Sequence, residues 1–94
     1  MLVVGICSFT MYLHEGTSLK EKRMILKSLT QKIKSRYNVS IAEIGAQEKW
    51  QLSEIGISCV SNSRIHVEQT LQEVLRFAEA DGRAEIMNIE KEII

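Results

Sequence analysis

The chain has no proline, two cysteines, two histidines and five aromatic residues, and each scarcity removes a class of answer. Without proline, and with only dispersed glycines, it offers no extended linker, low-complexity tract or glycine loop that could cradle a phosphate. Cys7 and Cys59 are too few for a disulfide framework or an all-cysteine metal site. Both lie in apolar runs and read as reduced, buried small hydrophobes, with a redox pair as the alternative. His14 and His66 have no histidine or cysteine at ligand spacing, so neither a metal nor a cofactor is expected. There is no nucleophile elbow and no arguable Cys–His pair, so no catalytic residue is assigned and the chain is expected not to be an enzyme. The longest apolar stretch, Leu2 to Leu13, is interrupted by Gly5, Ser8 and Thr10 and is too short to span a bilayer. The N-terminus lacks a basic n-region and a small-residue cleavage site, so the expected compartment is the cytoplasm, away from any membrane.

What is present is one globular domain, residues 1–94, with 45% hydrophobic and 26% charged residues. Residues 2–13 alternate and are rich in β-formers, which predicts a strand with Val3, Cys7, Phe9 and Met11 on its buried face. The segment 14–17 reads as a loop. Ser18 with Glu21 three residues on forms a capping box and opens a helix that runs to about Tyr37. Its core stripe is Leu19, Leu26, Leu29, Ile33 and Tyr37. Lys22 falls inside that apolar arc, and its ammonium is expected to reach water past the edge of the sheet. Strands follow at 39–46 and 52–61, a helix at 64–80 with Val67, Leu71, Val74, Leu75 and Ala78 inward, and a last strand at 84–93. Gly82 suits the position just past the second helix. In that last strand Met87, Ile89 and Ile93 share parity.

Strand, helix, strand, strand, helix, strand, with one apolar face per helix, implies an α+β ferredoxin-like βαββαβ fold. Its four-stranded antiparallel sheet should have order 4-1-3-2 with both helices on one face. The other face is expected to carry Ser8, Thr10, Tyr12, Val39, Ile41, Glu43, Ser58, Val60, Ile86 and Asn88. Glu43 reads there as an exposed carboxylate.

Net charge is zero, but residues 18–37 carry seven bases and one acid, and residues 68–94 seven acids and three bases. Lys20, Arg23, Lys27 and Lys34 fall in one narrow stripe of the first helix. That is either a solvated helix face or a surface for nucleic-acid phosphates, with Lys32 and Arg36 as auxiliary contacts. A single Tyr12 on the central strands is no base-stacking platform, so RNA would meet the first helix. A second reading is a protein-interaction or self-assembly module, including a homodimer, that uses the half-apolar open face. Its candidates are Tyr12, Ile41, Val60 and Ile86, with Trp50 at a hairpin tip either anchoring its loop or meeting a partner. A small-ligand sensor is a third reading without a pocket signature.

Ser18-Leu19-Lys20-Glu21-Lys22-Arg23, Leu26-Lys27-Ser28-Leu29, Tyr37-Asn38-Val39-Ser40-Ile41-Ala42-Glu43-Ile44, Trp50-Gln51 and Val60-Ser61-Asn62 together resemble the YlxP-like family of small bacterial proteins. The resemblance runs over essentially the whole chain. It implies a ferredoxin-like domain of unknown function with no catalytic residues to carry over. It also implies gene neighbours in translation initiation and ribosome maturation, and so points toward RNA or the ribosome.

Overall fold

A computed structural model describes residues 1–14 and 18–94; the expected loop at 14–17 lies outside the described residues except for His14. Six elements follow in order: β1 (Val3–Leu13), α1 (Leu19–Arg36), β2 (Ser40–Gly45), β3 (Leu52–Ser61), α2 (Arg64–Ala80) and β4 (Ala84–Ile93). The sheet order is β2-β3-β1-β4 with every neighbouring pair antiparallel, so the fold is ferredoxin-like as expected.

Local chemistry sets the element ends. The Ser18 hydroxyl accepts from the Glu21 amide at 3.1 Å and starts α1. The Ser63 hydroxyl accepts from the His66 amide at 3.3 Å and starts α2. Gly82, with φ of 81°, takes the left-handed turn after α2 that a side chain resists. The core lies between the helices and one sheet face. It comprises Val3, Cys7, Phe9, Met11 and Leu13 of β1, Ile55, Ile57 and Cys59 of β3, and the apolar stripes of both helices. Gly5 lets α2 approach β1: a Cβ there would overlap Val67 Cγ1 and come within 3.1 Å of Leu71 Cδ1.

The two edge strands depart from simple alternation. Ile41 pairs with Ile57 and Glu43 with Ile55, and residues opposite one another share a face. Ile41 and Glu43 therefore point under the helices, not to the open face; Ile41 is 7% exposed and Val39 packs against the core. This corrects the expected phase of β2. Either phase of Val39-Ser40-Ile41-Ala42 offers apolar residues, and β2's own sequence does not choose between them. Between Glu43 and Gly45 a bulge sets two residues against one on β3, leaving Ile44 on the open face above Gly56.

In β4 the pairing runs Met11 with Ile86 and Thr10 with Met87, and then jumps to Ser8 with Glu90. The extra residue is absorbed at Asn88, whose φ is 54°, a conformation asparagine tolerates better than most residues. Ile86 thus packs against the core rather than standing on the open face. Met87 faces out and Ile93 faces in, so the shared parity expected for Met87 and Ile93 is broken by the bulge.

Candidate functional site

Helix α1 presents two flanks to solvent. At 100° per residue, Lys20, Arg23, Lys27 and Lys34 fall within an arc of about 60°. All four are exposed, and among the described residues none pairs with a carboxylate. Lys32 and Arg36 lie on the other flank, toward α2. The Arg36 guanidinium stacks 4.8 Å from the Phe77 ring centroid, and the charge of Lys32 is felt by Asp81 just past the end of α2. The six expected cations therefore divide: four form one continuous stripe turned away from α2, and two belong to the helix–helix seam.

The position of the stripe along the helix is informative. Lys34 and Arg36 sit in the last turn, where the helix dipole favours cations. Lys20 and Arg23 sit near the positive end, where a cation costs about 0.3–1 kcal/mol. Helix stability does not account for them.

Lys22 is the seventh base of this region and has a different fate. It is 1% exposed. Its ammonium donates to Ala46 O at 2.7 Å, Lys49 O at 2.7 Å and Gln47 O at 3.4 Å, and lies 2.9 Å from Glu43 Oε2. The same carboxylate oxygen accepts from the buried Ser53 hydroxyl at 2.6 Å. The expectation that the Lys22 ammonium reaches water is overturned, as is the reading of Glu43 as an open-face carboxylate. Each residue breaks the apolar pattern of its own element, and each is accommodated because the other carries the opposite charge. The network closes the β2–β3 loop, which holds Ala46 at a φ of 60° and carries Trp50 at its surface, 44% exposed. Lys22 is a structural residue.

The open sheet face carries Ser8, Thr10, Tyr12, Ser58 and Val60, as the alternation implied. It also carries Val4, Ile6, Ala42, Ile44, Met87, Glu90 and Glu92, which the expected list lacked. A concave groove of about 520 Å³ crosses this face over a floor that includes Ser8, Gly56 and Ser58. Of the expected interaction residues, Tyr12 and Val60 lie on this face, Trp50 is in the loop at one end, and Ile41 and Ile86 are in or against the core. The groove was missed because its outline depends on the two bulges, and no local sequence signal positions either one.

Neither thiol is activated. Cys7 and Cys59 are both free and buried beneath the helices. Burial pushes both thiols up, against smaller opposing effects of the Lys91 charge on Cys7 and a Gly5 backbone hydrogen bond on Cys59. They are neutral at physiological pH and poor nucleophiles. His14 lies edge-on to Tyr12, with centroids 5.6 Å apart, and His66 is exposed on the first turn of α2. Among the described residues no group of three or more His, Cys, Asp or Glu side chains could hold a metal ion. No described helix is long and apolar enough to cross a membrane.

A solved structure shares this fold: the de novo designed protein Foldit4 superposes with a TM-score of 0.57 at 14% identity, over 100% of this chain and 97% of its own. SnoaB, a cofactor-independent oxygenase from Streptomyces nogalater, superposes with a TM-score of 0.48 at 14% identity, over 99% of this chain and 90% of its own. At 14% identity the likeness to Foldit4 shows the fold alone. The sequence comparisons are closer. The uncharacterized protein YlxP of Bacillus subtilis (strain 168) is 40% identical over 78 residues, which is 83% of this chain and 85% of the relative. The family model described as a protein of unknown function, DUF503, matches residues 4–91. With the family model covering four elements in full and most of β1 and β4, the chain belongs to the DUF503 family, whose function is unknown.

Proposed function

We propose that the protein is a non-enzymatic RNA-binding module, acting in the cytoplasm on RNA of the ribosome or its precursors, and that α1 carries the contact. The observation behind this reading is the stripe of Lys20, Arg23, Lys27 and Lys34, exposed and, among the described residues, unpaired with acids along one flank of a single helix. From Lys20 to Lys34 the stripe is about 21 Å long at 1.5 Å per residue, enough to follow several phosphates of one strand. Lysine and arginine placed this way neutralise phosphates and release counterions, which yields affinity with little base specificity. The open face offers no pair of stacking aromatics, so recognition rests on backbone and shape.

The test is binding to fluorescent ribosomal RNA fragments across a salt series. Four phosphate contacts predict a slope of log affinity against log salt of roughly −3, reduced by about one unit in Lys27→Ala. Lys20→Glu/Arg23→Glu/Lys27→Glu should bind no RNA while keeping its circular dichroism spectrum. Salt-independent binding, or equal binding by the triple variant, would reject the proposal.

A further inference from the structure

The face opposite the helices has a charge character of its own. The charged side chains that the four strands turn to it are Glu54, Glu85, Glu90 and Glu92, placed there by pairing with Thr10, Tyr12, Ser8 and Ile6. Among the described residues strand pairing turns no base to this face: Lys91 borders the groove at the β4 edge, but it pairs with Cys7, so its side chain belongs to the helix side, where its charge acts on the buried thiol. The same face exposes Ile6, Ile44 and Val60 at 38%, 57% and 57%. The groove takes in Ile6 and Ile44 but not Val60, with Ile44 at the β2 edge, Glu90 and Glu92 at the β4 edge, and a floor of serine and glycine in the middle. The floor is low because its side chains are small and Ile44 leans over Gly56, where a Cβ would meet Ile44 Cγ2 at 3.0 Å.

We propose that this groove docks a basic amphipathic helix of a partner protein, its apolar side against Ile6 and Ile44 and its lysines or arginines against Glu90 and Glu92. Three physical points select that occupant. A partner that covers the isoleucines also brings cations to the carboxylates, or it leaves them desolvated and unpaired. Four strands at about 4.8 Å spacing set the β2 and β4 edges roughly 14 Å apart, which matches a helix with side chains about 10–12 Å across. A second copy of the chain fits poorly in either geometry. A two-fold contact through this face supplies no base: depending on the axis, the carboxylates meet the partner's carboxylates or its isoleucines, and they stay unpaired either way. A head-to-tail contact offers the basic stripe of α1, whose large exposed apolar residue is Met24 alone, against two isoleucines. The basic stripe and the acidic groove thus lie on opposite faces of the sheet, and both can be engaged at once.

The test uses the full chain and two synthetic 18-residue amphipathic helices, one of leucine and lysine and one of leucine and glutamate, followed by amide chemical shifts. The leucine–lysine peptide should move the signals of Ile6, Ser8, Ile44 and Ser58, and the leucine–glutamate peptide should not. Glu90→Lys/Glu92→Lys should weaken binding at least tenfold, and Ile6→Ser/Ile44→Ser likewise. All four residues project from the surface, and circular dichroism is the check that each variant is folded. The α1 triple variant, which should lose RNA, should bind the peptide within twofold of the parent, so the RNA reading and this one fail separately. The proposal is overturned by absent shifts on the open face, by equal binding of both peptides, or by equal affinity in the Glu90/Glu92 variant. It is also overturned by sedimentation showing a dimer that the Ile6/Ile44 variant dissociates, which would make a second copy the occupant.

Discussion

The Lys22 ammonium and the Glu43 carboxylate stand 2.9 Å apart where α1 passes over β2, and the ammonium also holds carbonyls of the loop between β2 and β3. The pair joins helix, strand and loop in one network, with Ser53 as its fourth member. Lys22 is almost wholly buried, whereas Glu43 keeps 22% of its side chain exposed. Removing either partner therefore has unequal consequences.

Lys22→Met leaves the Glu43 carboxylate facing the protein without its cation and three loop carbonyls without their donor. Breaking such a pair should cost about 3 kcal/mol, the low end of the usual range because Glu43 keeps part of its hydration. Glu43→Gln retains an acceptor for both Ser53 and Lys22 and should cost about 1 kcal/mol. Lys22→Met/Glu43→Leu should lose less than the sum of Lys22→Met and Glu43→Leu made singly, with a coupling of about 1 kcal/mol or more. Urea unfolding of the set measures all of this. Strictly additive losses would show that the two groups do not interact.

Gly5→Ala places a methyl group against Val67, a fully buried, β-branched side chain of α2 with little rotamer freedom. The helix has to shift, and overpacking of this kind costs about 1–3 kcal/mol. Gly5→Ala/Val67→Ala removes the obstructing methyls and should be more stable than the sum of its parts. Thermal unfolding compares the four proteins. A Gly5→Ala protein as stable as the parent would mean that α2 does not press on β1 as described.

Asp81 and Arg83 form a bidentate pair after α2, with 2.8 Å between Arg83 Nη2 and Asp81 Oδ2. The Arg83 hydrogen bonds hold the Asp81 carboxyl below its usual range, against a smaller opposing effect of burial, with the charges of Arg83 and Lys32 helping. A carboxyl depressed on folding contributes stability that is fully present above its unfolded value near 3.9 and is lost as pH falls through the lower folded value. Arg83 is 39% exposed, so solvent screening limits the effect to under about 1 kcal/mol. The Asp81→Asn protein should match the parent below the folded value, fall behind it as pH rises from there toward about 4, and keep a constant deficit above that. A constant difference between the two at all pH values in a urea series would contradict the assignment.

The elements and their order were legible in the sequence because each signal was local. Ser18 and Ser63 cap the two helices, and the Val67, Leu71, Val74, Leu75 and Ala78 stripe is buried in full. The alternation of β1 and β3 also holds, as both are central strands without bulges in their mutual pairing. The basic stripe was legible for the same reason: helical period alone puts Lys20, Arg23, Lys27 and Lys34 side by side.

Tertiary structure decided the rest. Whether Ile41 faces in or out depends on pairing with Ile57 of β3, and Ile86 faces in because the bulge at Asn88 lies beyond it. Lys22 and Glu43 each contradict their own element's pattern, and only the packing of α1 over β2 brings the two exceptions together. Helical period already sets Lys32 and Arg36 off the stripe, but that they face α2 follows only from the packing of the two helices. The sequence by itself determined which segments are helix and strand, since backbone period and capping act within a few residues. Which faces meet, and where a charge is buried or displayed, was settled only when segments distant in sequence were packed against one another.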